Sequence, residues 1–389
     1  MSVSLPAADW TRREDLARLV AVLGPDKARY VGGAVRDTLL GIPVKDVDIA
    51  TPLLPLKVIG KLKDAGIQAV PTGIEHGTVT AVLPEGPVEI TTLRHDVSTD
   101  GRRATVAFAN DWQDDAARRD FTINALYADP ATGEVFDWFG GLADLAARRV
   151  RFIGDPHQRI REDHLRILRY FRFQARFGSQ PADIQSESAC AELAATLKGL
   201  SRERVGMEMM NLLGLVDPAP TVARMAELGV LPVVLPEADV AALVALVVAE
   251  TRQQVAPDAL RRLAALLPAD VALAEAVASR FRLSGVQKKR LALAAGRDGV
   301  PGDPRALAYR LGNAAALDRL LLGGGEVASL NGWAIPVFPL KGGDIVARGV
   351  KAGPDVARTL RAVESAWIAA GFDDAAVPGL LDAELAARG

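Results

Sequence analysis

The chain has 389 residues, 49% hydrophobic and 24% charged, with 46 Lys and Arg against 48 Asp and Glu and a net charge of −2. This is an ordinary globular composition, and the length predicts two or three domains. The lone cysteine, Cys190, excludes an internal disulfide and a cysteine-built zinc site. No apolar run reaches membrane-spanning length and no secretory signal opens the chain, so a cytoplasmic protein without membrane association is expected, with no obligate protein partner evident. His76, His95, His157 and His164 show no metal-ligand rhythm.

In chain order, the first distinctive segment is Val31-Gly32-Gly33-Ala34-Val35-Arg36-Asp37. Two glycines allow positive φ and close approach of a ligand, and successive N–H groups at such a turn form an anion-binding concavity. Residues 34–40 read as a short helix, and Arg36 suits phosphate oxygens. The segment Asp46-Val47-Asp48-Ile49 reads as a strand, in which Asp46 and Asp48 share one face while Val47 and Ile49 face a core. Neighbouring carboxylates predict a raised pKa or a bound cation, and oxygen donors suit Mg²⁺ together with substrate phosphates. Taken singly, these motifs are equally a tight turn and a solvated strand end.

Residues 78–83 and 88–93 read as strands joined by the Pro84-Glu85-Gly86-Pro87 turn, with Glu89, Thr91 and Leu93 on one face. Residues 94–110 read as a mobile loop. Arg118-Arg119-Asp120-Phe121-Thr122-Ile123-Asn124 pairs charge with a partly buried helix. The glycines and Pro156 between Phe139 and Pro156 read as hinge material. Residues 161–172 read as one helix carrying Asp163, Arg166 and Arg169 on a common side. Between Ala147 and Gly178 the cations Arg148, Arg149, Arg151, Arg159, Arg161, Arg166, Arg169, Arg172 and Arg176 face only Asp155, Glu162 and Asp163. Such a basic patch suits a phosphate backbone. The charges of residues 201–208 are expected to organise a further helix. Beyond Leu145 the pattern is almost wholly helical, with breaks near Gly178, Pro218, Pro257, Gly296 to Pro304, and Gly323.

In this order the motifs resemble the class II nucleotidyltransferases. That family holds the tRNA CCA-adding enzymes and the bacterial poly(A) polymerases, within the wider DNA polymerase β-like superfamily. The resemblance is close over the first half and partial in the tail. It implies an α+β fold. A polymerase β-like head with a mixed sheet would span 1–146, a helical neck with a nucleobase-selecting helix 147–215, and a helical body and tail that bind tRNA 216–389.

The resemblance further implies that Asp46 and Asp48 are catalytic and hold two Mg²⁺ ions, with Glu89 a candidate third ligand or else a surface residue. Gly32, Gly33 and Arg36 would cradle phosphate. Arg119 and Asp120 would contact the sugar with Asn124 in support, and the 94–110 loop would help the pocket change between C and A. The family's Glu-Asp-x-x-Arg motif, here Glu162, Asp163 and Arg166, serves as an amino-acid template. Cytosine and adenine each offer an amino donor and a ring-nitrogen acceptor. Asp163 can accept from the first and Arg166 donate to the second, whereas guanine and uracil present mismatched groups. Glu162 would orient Arg166 as an i, i+4 neighbour, and Arg169 and Arg172 would reach the triphosphate or brace the site. In the tail, Lys341, Arg348 and Lys351 either meet RNA phosphate or close the fold.

The implied activity is addition of C and A to a tRNA 3′ end from CTP and ATP, releasing pyrophosphate. A poly(A) polymerase is the alternative, but Gly73-Ile74-Glu75-His76-Gly77-Thr78 and the Val47 between the aspartates fit the CCA-enzyme pattern better. A split enzyme adding only CC or only A stays open. A non-catalytic RNA-binding relative would be expected to lose the aspartates or the template residues, and this chain keeps both.

Overall fold

The computed structural model describes residues 3–100, 103–109, 111–297 and 302–387. Two compact units divide the chain, Met1–Ala238 and Asp239–Gly389.

The first unit opens with α1 (Glu14–Leu23), whose Leu16, Leu19 and Leu23 recur at helical spacing and are fully buried. Then follow β1 (Arg29–Val31), α2 (Gly33–Leu39), β2 (Val47–Thr51), α3 (Pro55–Asp64), β3 (Gln68–Gly73), β4 (Thr78–Val82) and β5 (Val88–Thr92). After β6 (Arg94–Asp100) and β7 (Arg103–Phe108) come α4 (Trp112–Ala117), β8 (Tyr127–Ala128) and β9 (Val135–Phe136). Seven strands form one sheet in the order β3-β4-β5-β2-β1-β8-β9. Among the described residues of this sheet only β2 and β5 run parallel; the other pairings are antiparallel. The sheet is mixed, as the resemblance implied.

Alternation on the central strands has a clear physical origin. Val47, Ile49, Val88 and Ile90 are buried on one face, while Asp48 and Glu89 project from the other. Further along that second face the surface closes over Val31, Ala50, Leu93 and Tyr127, a core cluster shared with Ile153.

The segment expected to be a mobile loop is instead a two-stranded antiparallel hairpin, β6–β7. Val97, Thr99, Thr105 and Val106 favour extended backbone, a signal outweighed in the sequence by its turn residues. Gly101, Arg102 and Asn110 lie outside the described residues.

A helical run completes this unit: α5 (Gly141–Ala146), α6 (Pro156–Glu162), α7 (Arg166–Phe177), α8 (Ile184–Glu192), α9 (Arg202–Leu213), α10 (Ala219–Glu227) and α11 (Leu231–Val234). Helix α7 buries Ile167, Leu168, Tyr170, Phe171, Phe173 and Phe177 and packs on α9 and α10. Phe121, at the start of a 3-10 turn (Thr122–Asn124), meets Phe152, Tyr170 and Phe173 at centroid distances of 5.0, 6.3 and 5.1 Å. This aromatic cluster fuses the sheet-bearing part to the helical part.

The second unit holds α12 (Val240–Arg252), α13 (Ala259–Leu266), α14 (Val271–Arg280), α15 (Gly285–Ala295), α16 (Pro304–Leu311), α17 (Asn313–Leu322), α18 (Gly342–Ala347), α19 (Pro354–Ala369) and α20 (Val377–Ala386). Side chains of Asp239, Asp258, Asp270, Ser284 and Asp303 cap five of these helices. Its cores centre on Leu246 and Leu320, and on Ile345 and Trp367. Of the expected break from Gly296 to Pro304, residues 298–301 lie outside the described residues. No helix among the described residues is long and apolar enough to cross a membrane.

The stretch from Phe139 to Pro156, expected to act as a hinge, is tied down. Asp144 is fully buried and holds Thr122 (2.6 Å), Arg149 (2.7 Å) and Arg151 (3.0 Å). A Cβ on Gly141 would stand 2.3 Å from the Thr122 carbonyl oxygen, so that backbone contact demands glycine. Gly141→Ala should therefore cost roughly 1–3 kcal/mol, read as a lowered thermal midpoint in calorimetry.

Candidate active site

The acidic edge forms where β2 and β5 lie side by side. Asp48 and Glu89 are register partners on the two parallel strands, and Asp46 immediately precedes β2. Asp48 is half-buried, and burial, then repulsion from Glu89 and Asp46, pushes its carboxyl up to about 6 against the attraction of Arg119. Among the described residues no three His, Cys, Asp or Glu side chains form a ready-made metal cage. An acidic edge with oxygen donors and unbalanced negative charge fits a hard divalent cation whose remaining ligands come from substrate and water.

Beside this edge, Gly32 follows β1 with φ +69°, a conformation that glycine adopts without strain. A Cβ there would stand 3.2 Å from Arg119 Nη1. The Gly32 N–H donates to the Leu126 carbonyl (3.1 Å), so this glycine supplies close approach rather than a donor. Gly33 is the first residue of α2.

Arg36 departs from the expected phosphate cradle. It is buried, pairs with Asp37 (2.6 Å), donates to Asn124 Oδ1 (2.5 Å) and lies 4.1 Å from the Phe177 ring centroid. The cation that stands at the glycine turn is Arg119. Burial opposes its charge, but Tyr127, Asp115 and then Asp48 outweigh burial and raise its pKa.

Asp120 also turns inward. Its Oδ1 accepts from Phe121 N (2.9 Å) and Asn124 Nδ2 (3.0 Å), and its Oδ2 takes a bidentate bond from Arg169 (2.9 and 2.6 Å). Burial works against this charge, yet Arg169 and the hydrogen bonds hold the carboxyl down to about 2. Arg169 Nη1 also lies 3.7 Å from Glu208 on α9, which pairs with Arg172 (2.6 Å). Arg169 and Arg172 are thus both engaged by buried acids of the protein.

The residues expected to select the base do not share one helix. Helix α6 ends at Glu162, Asp163 is extended (φ −150°, ψ 105°), and α7 begins at Arg166. Asp163 breaks the helix because its Oδ1 accepts from Leu165 N (3.1 Å), a local bond that competes with helical pairing. Its Oδ2 meets Arg204 of α9 at 2.7 Å. Glu162 does orient Arg166, at 2.6 Å, and binds Arg159 as well. Arg166 and Arg159 both reach the Arg118 carbonyl. Arg118 and Arg119 are consecutive, so Glu162 and Arg166 and the acidic edge meet through one short segment. Sequence reasoning placed Arg159 only in the basic stretch and Arg204 only among charges that organise a helix, and it missed Asp115 and Tyr127; the i, i+4 spacing of Asp115 and Arg119 was the available signal.

In the second unit, Lys341, Arg348 and Lys351 are all exposed, with Arg348 paired to Asp382 at 2.6 Å.

Residues 28–151 match the family model described as poly A polymerase head domain, and residues 183–241 match that described as probable RNA and SrmB- binding site of polymerase A. A mouse protein named CCA tRNA nucleotidyltransferase 1, mitochondrial, is 35% identical over 363 residues, covering 88% of this chain and 83% of that protein. The chain belongs to the CCA tRNA nucleotidyltransferase family. The human member of that family is 48% identical, over 188 residues that cover 48% of this chain and 43% of that one. The Bacillus stearothermophilus CCA-adding enzyme, solved with CTP, has a TM-score of 0.73 at 26% identity, covering 96% of this chain and 98% of the other. The Thermotoga maritima enzyme, solved with tRNA, shares the fold at a TM-score of 0.68 and 22% identity, covering 93% and 92% of the two chains. Two of these CCA tRNA nucleotidyltransferases are named mitochondrial, so family membership leaves the compartment unassigned.

The lowered Asp120 carboxyl carries a stability consequence. It faces Arg169 on α7 and, through Asn124, Arg36 on α2. Its folded pKa lies below the ordinary 3.8, so its contribution is full above pH ~4 and is lost as pH falls through ~2. Asp120→Asn should cost on the order of 2 kcal/mol at neutral pH. In denaturant titrations the gap from the parent protein should narrow between pH ~4 and ~2.

Proposed function

We propose that this protein adds C and A to the 3′ end of tRNA from CTP and ATP, without a nucleic acid template. The observation that carries the reading is the junction of two sites through Arg118 and Arg119. The acidic edge of Asp46, Asp48 and Glu89 stands at one end, and the Asp163–Arg166 pair at the other. The named relatives and solved structures support the choice of reaction.

In each cycle the tRNA 3′-hydroxyl oxygen bonds to the α-phosphorus of the nucleotide, the α–β phosphoanhydride bond breaks, and pyrophosphate leaves. Asp46 and Asp48, with Glu89 beside them, would hold two Mg²⁺ ions. Such ions neutralise the triphosphate and acidify the attacking hydroxyl. Gly32 and Gly33 let the triphosphate approach the backbone, and Arg119 offers the nearby positive charge. Asp163 accepts from the exocyclic amino group of C or A, and Arg166 donates to the ring nitrogen. Asn124, Asp120, Arg36, Arg169 and Arg172 keep the α7 side of this pocket fixed. Lys341, Arg348 and Lys351 are exposed cations available to RNA phosphate.

Incubation with tRNA lacking its 3′ end, and with CTP and ATP separately and together, tests the reading. Stepwise CCA addition supports it; a long A tail on unstructured RNA would identify a poly(A) polymerase, and addition of only CC or only A a split enzyme. Asp48→Ala should reduce transfer by at least ~10³-fold while tRNA affinity in a filter-binding assay stays within a few-fold. Equal loss of both would contradict the metal role. Arg166→Ala should raise UTP and GTP incorporation relative to CTP and ATP, measured by nucleotide competition; unchanged discrimination would remove Arg166 from the template.

A further inference from the structure

The reading above leaves Asp115 and Tyr127 without a task, although both sit against Arg119. Asp115 lies on α4 and is 1% exposed; Tyr127 lies on β8 and is fully buried. Tyr127 lies opposite Val31 in the β1–β8 ladder, next to Gly32. Its hydroxyl donates to Asp115 Oδ2 and accepts from Arg119 Nε at 3.0 Å. Asp115 Oδ2 also lies 3.4 Å from Arg119 Nη2, and the Arg119 guanidinium carbon is 5.2 Å from the Tyr127 ring centroid. The inner donors of Arg119 are thereby engaged, while Nη1 faces Gly32. A flexible arginine is held in one orientation by two buried groups and a ring face, which lowers the ordering cost of using it. Burial keeps Tyr127 protonated well beyond neutral pH, so the relay has one direction. The other oxygen of Asp115 accepts from the Arg94 backbone N–H (3.3 Å), at the first residue of β6.

We propose that Asp115 and Tyr127 are positioning residues that aim Arg119 at the triphosphate of the incoming nucleotide and tie its orientation to the entry of the β6–β7 hairpin. The inference rests on the head being a nucleotidyl-transfer centre. Arg119 stands at the phosphate end of the site rather than the base end, so loosening it affects CTP and ATP alike. Negative charge grows on the departing pyrophosphate, so a misaimed cation weakens the transition state more than the ground state.

The test is single-nucleotide addition by the full chain with Mg²⁺, on tRNA ending in CC for ATP and on tRNA lacking its whole 3′ end for CTP. Tyr127→Phe removes one oxygen and keeps the ring. It should lower kcat/KM about tenfold for both nucleotides, mostly in kcat, with the CTP-to-ATP ratio held within twofold. Arg119→Lys should show a larger loss, and adding Tyr127→Phe to it should cause little further loss, because a lysine lacks the Nε that Tyr127 holds. Asp115→Asn should repeat the pattern if it folds; Tyr127→Phe carries the test if it does not. Parent-like kcat/KM in Tyr127→Phe, additive losses in the double variant, or a loss confined to one nucleotide would overturn the positioning role while leaving the reaction intact. A parent protein that extends neither tRNA would overturn the functional reading and this inference with it.

Discussion

The structure depends most on the bidentate pair between Asp120 and Arg169. Asp120 belongs to the turn that follows α4, and Arg169 to the middle of α7, so this bond joins the sheet-bearing part to the helix that begins at Arg166. A buried carboxylate is expensive unless every lone pair is used. Here Phe121 N, Asn124 and Arg169 use them. The partners are themselves committed: Asn124 to Arg36, Arg36 to Asp37, and Asp37 to Arg176 at 3.4 Å. Removing Arg169 leaves the buried Asp120 charge without its paired cation, so the network holds one arrangement at the expense of tolerance to mutation.

The acidic edge obeys the opposite logic. Asp46, Asp48 and Glu89 repel each other and have no closed set of protein partners among the described residues, so folding leaves their charge unneutralised. One end of the site is saturated by internal ion pairs and holds its shape; the other is left unsatisfied, and its uncompensated carboxylates favour a cation. Arg119, between them, belongs to both, with its inner donors on Asp115 and Tyr127 and its outer edge at Gly32.

Much of this was legible in the sequence because local rules suffice. Alternation around Asp48 and Glu89 identifies their strands, and glycine pairs mark the turns. The pairing of Asp48 with Glu89 was not legible, because it needs β2 and β5 to lie parallel although two strands separate them in sequence. The helix break at Asp163 was hidden by apolar residues that keep helical spacing through Leu165, Leu168 and Phe171. The basic stretch misled most. Counted over 147–178 its arginines look unopposed, yet Arg149, Arg151, Arg169, Arg172 and Arg176 find Asp144, Asp120, Glu208 and Asp37 from outside that window. A window of sequence cannot weigh partners brought in by tertiary contact. The inward turn of Arg36 escaped for the same reason, since its aromatic neighbours lie on α7.

Selecting a base with protein alone requires that the selecting groups not adapt to the wrong one. Asp163 and Arg166 are both short-tethered to a fixed charge, Arg204 on α9 and Glu162 at the end of α6. Each side chain can thus swing only by breaking an ion pair. If these side chains select the base as proposed, a mismatched base would leave them facing a like donor or acceptor, where the penalty is large compared with that for a missing apolar contact. Because Arg166 also reaches the carbonyl of Arg118, the peptide that leads into Arg119, Arg166 and Arg119 rest on one backbone segment. Under the proposed function, recognition at one end and alignment at the other would share a mechanical support, which a free pair of binding pockets would lack.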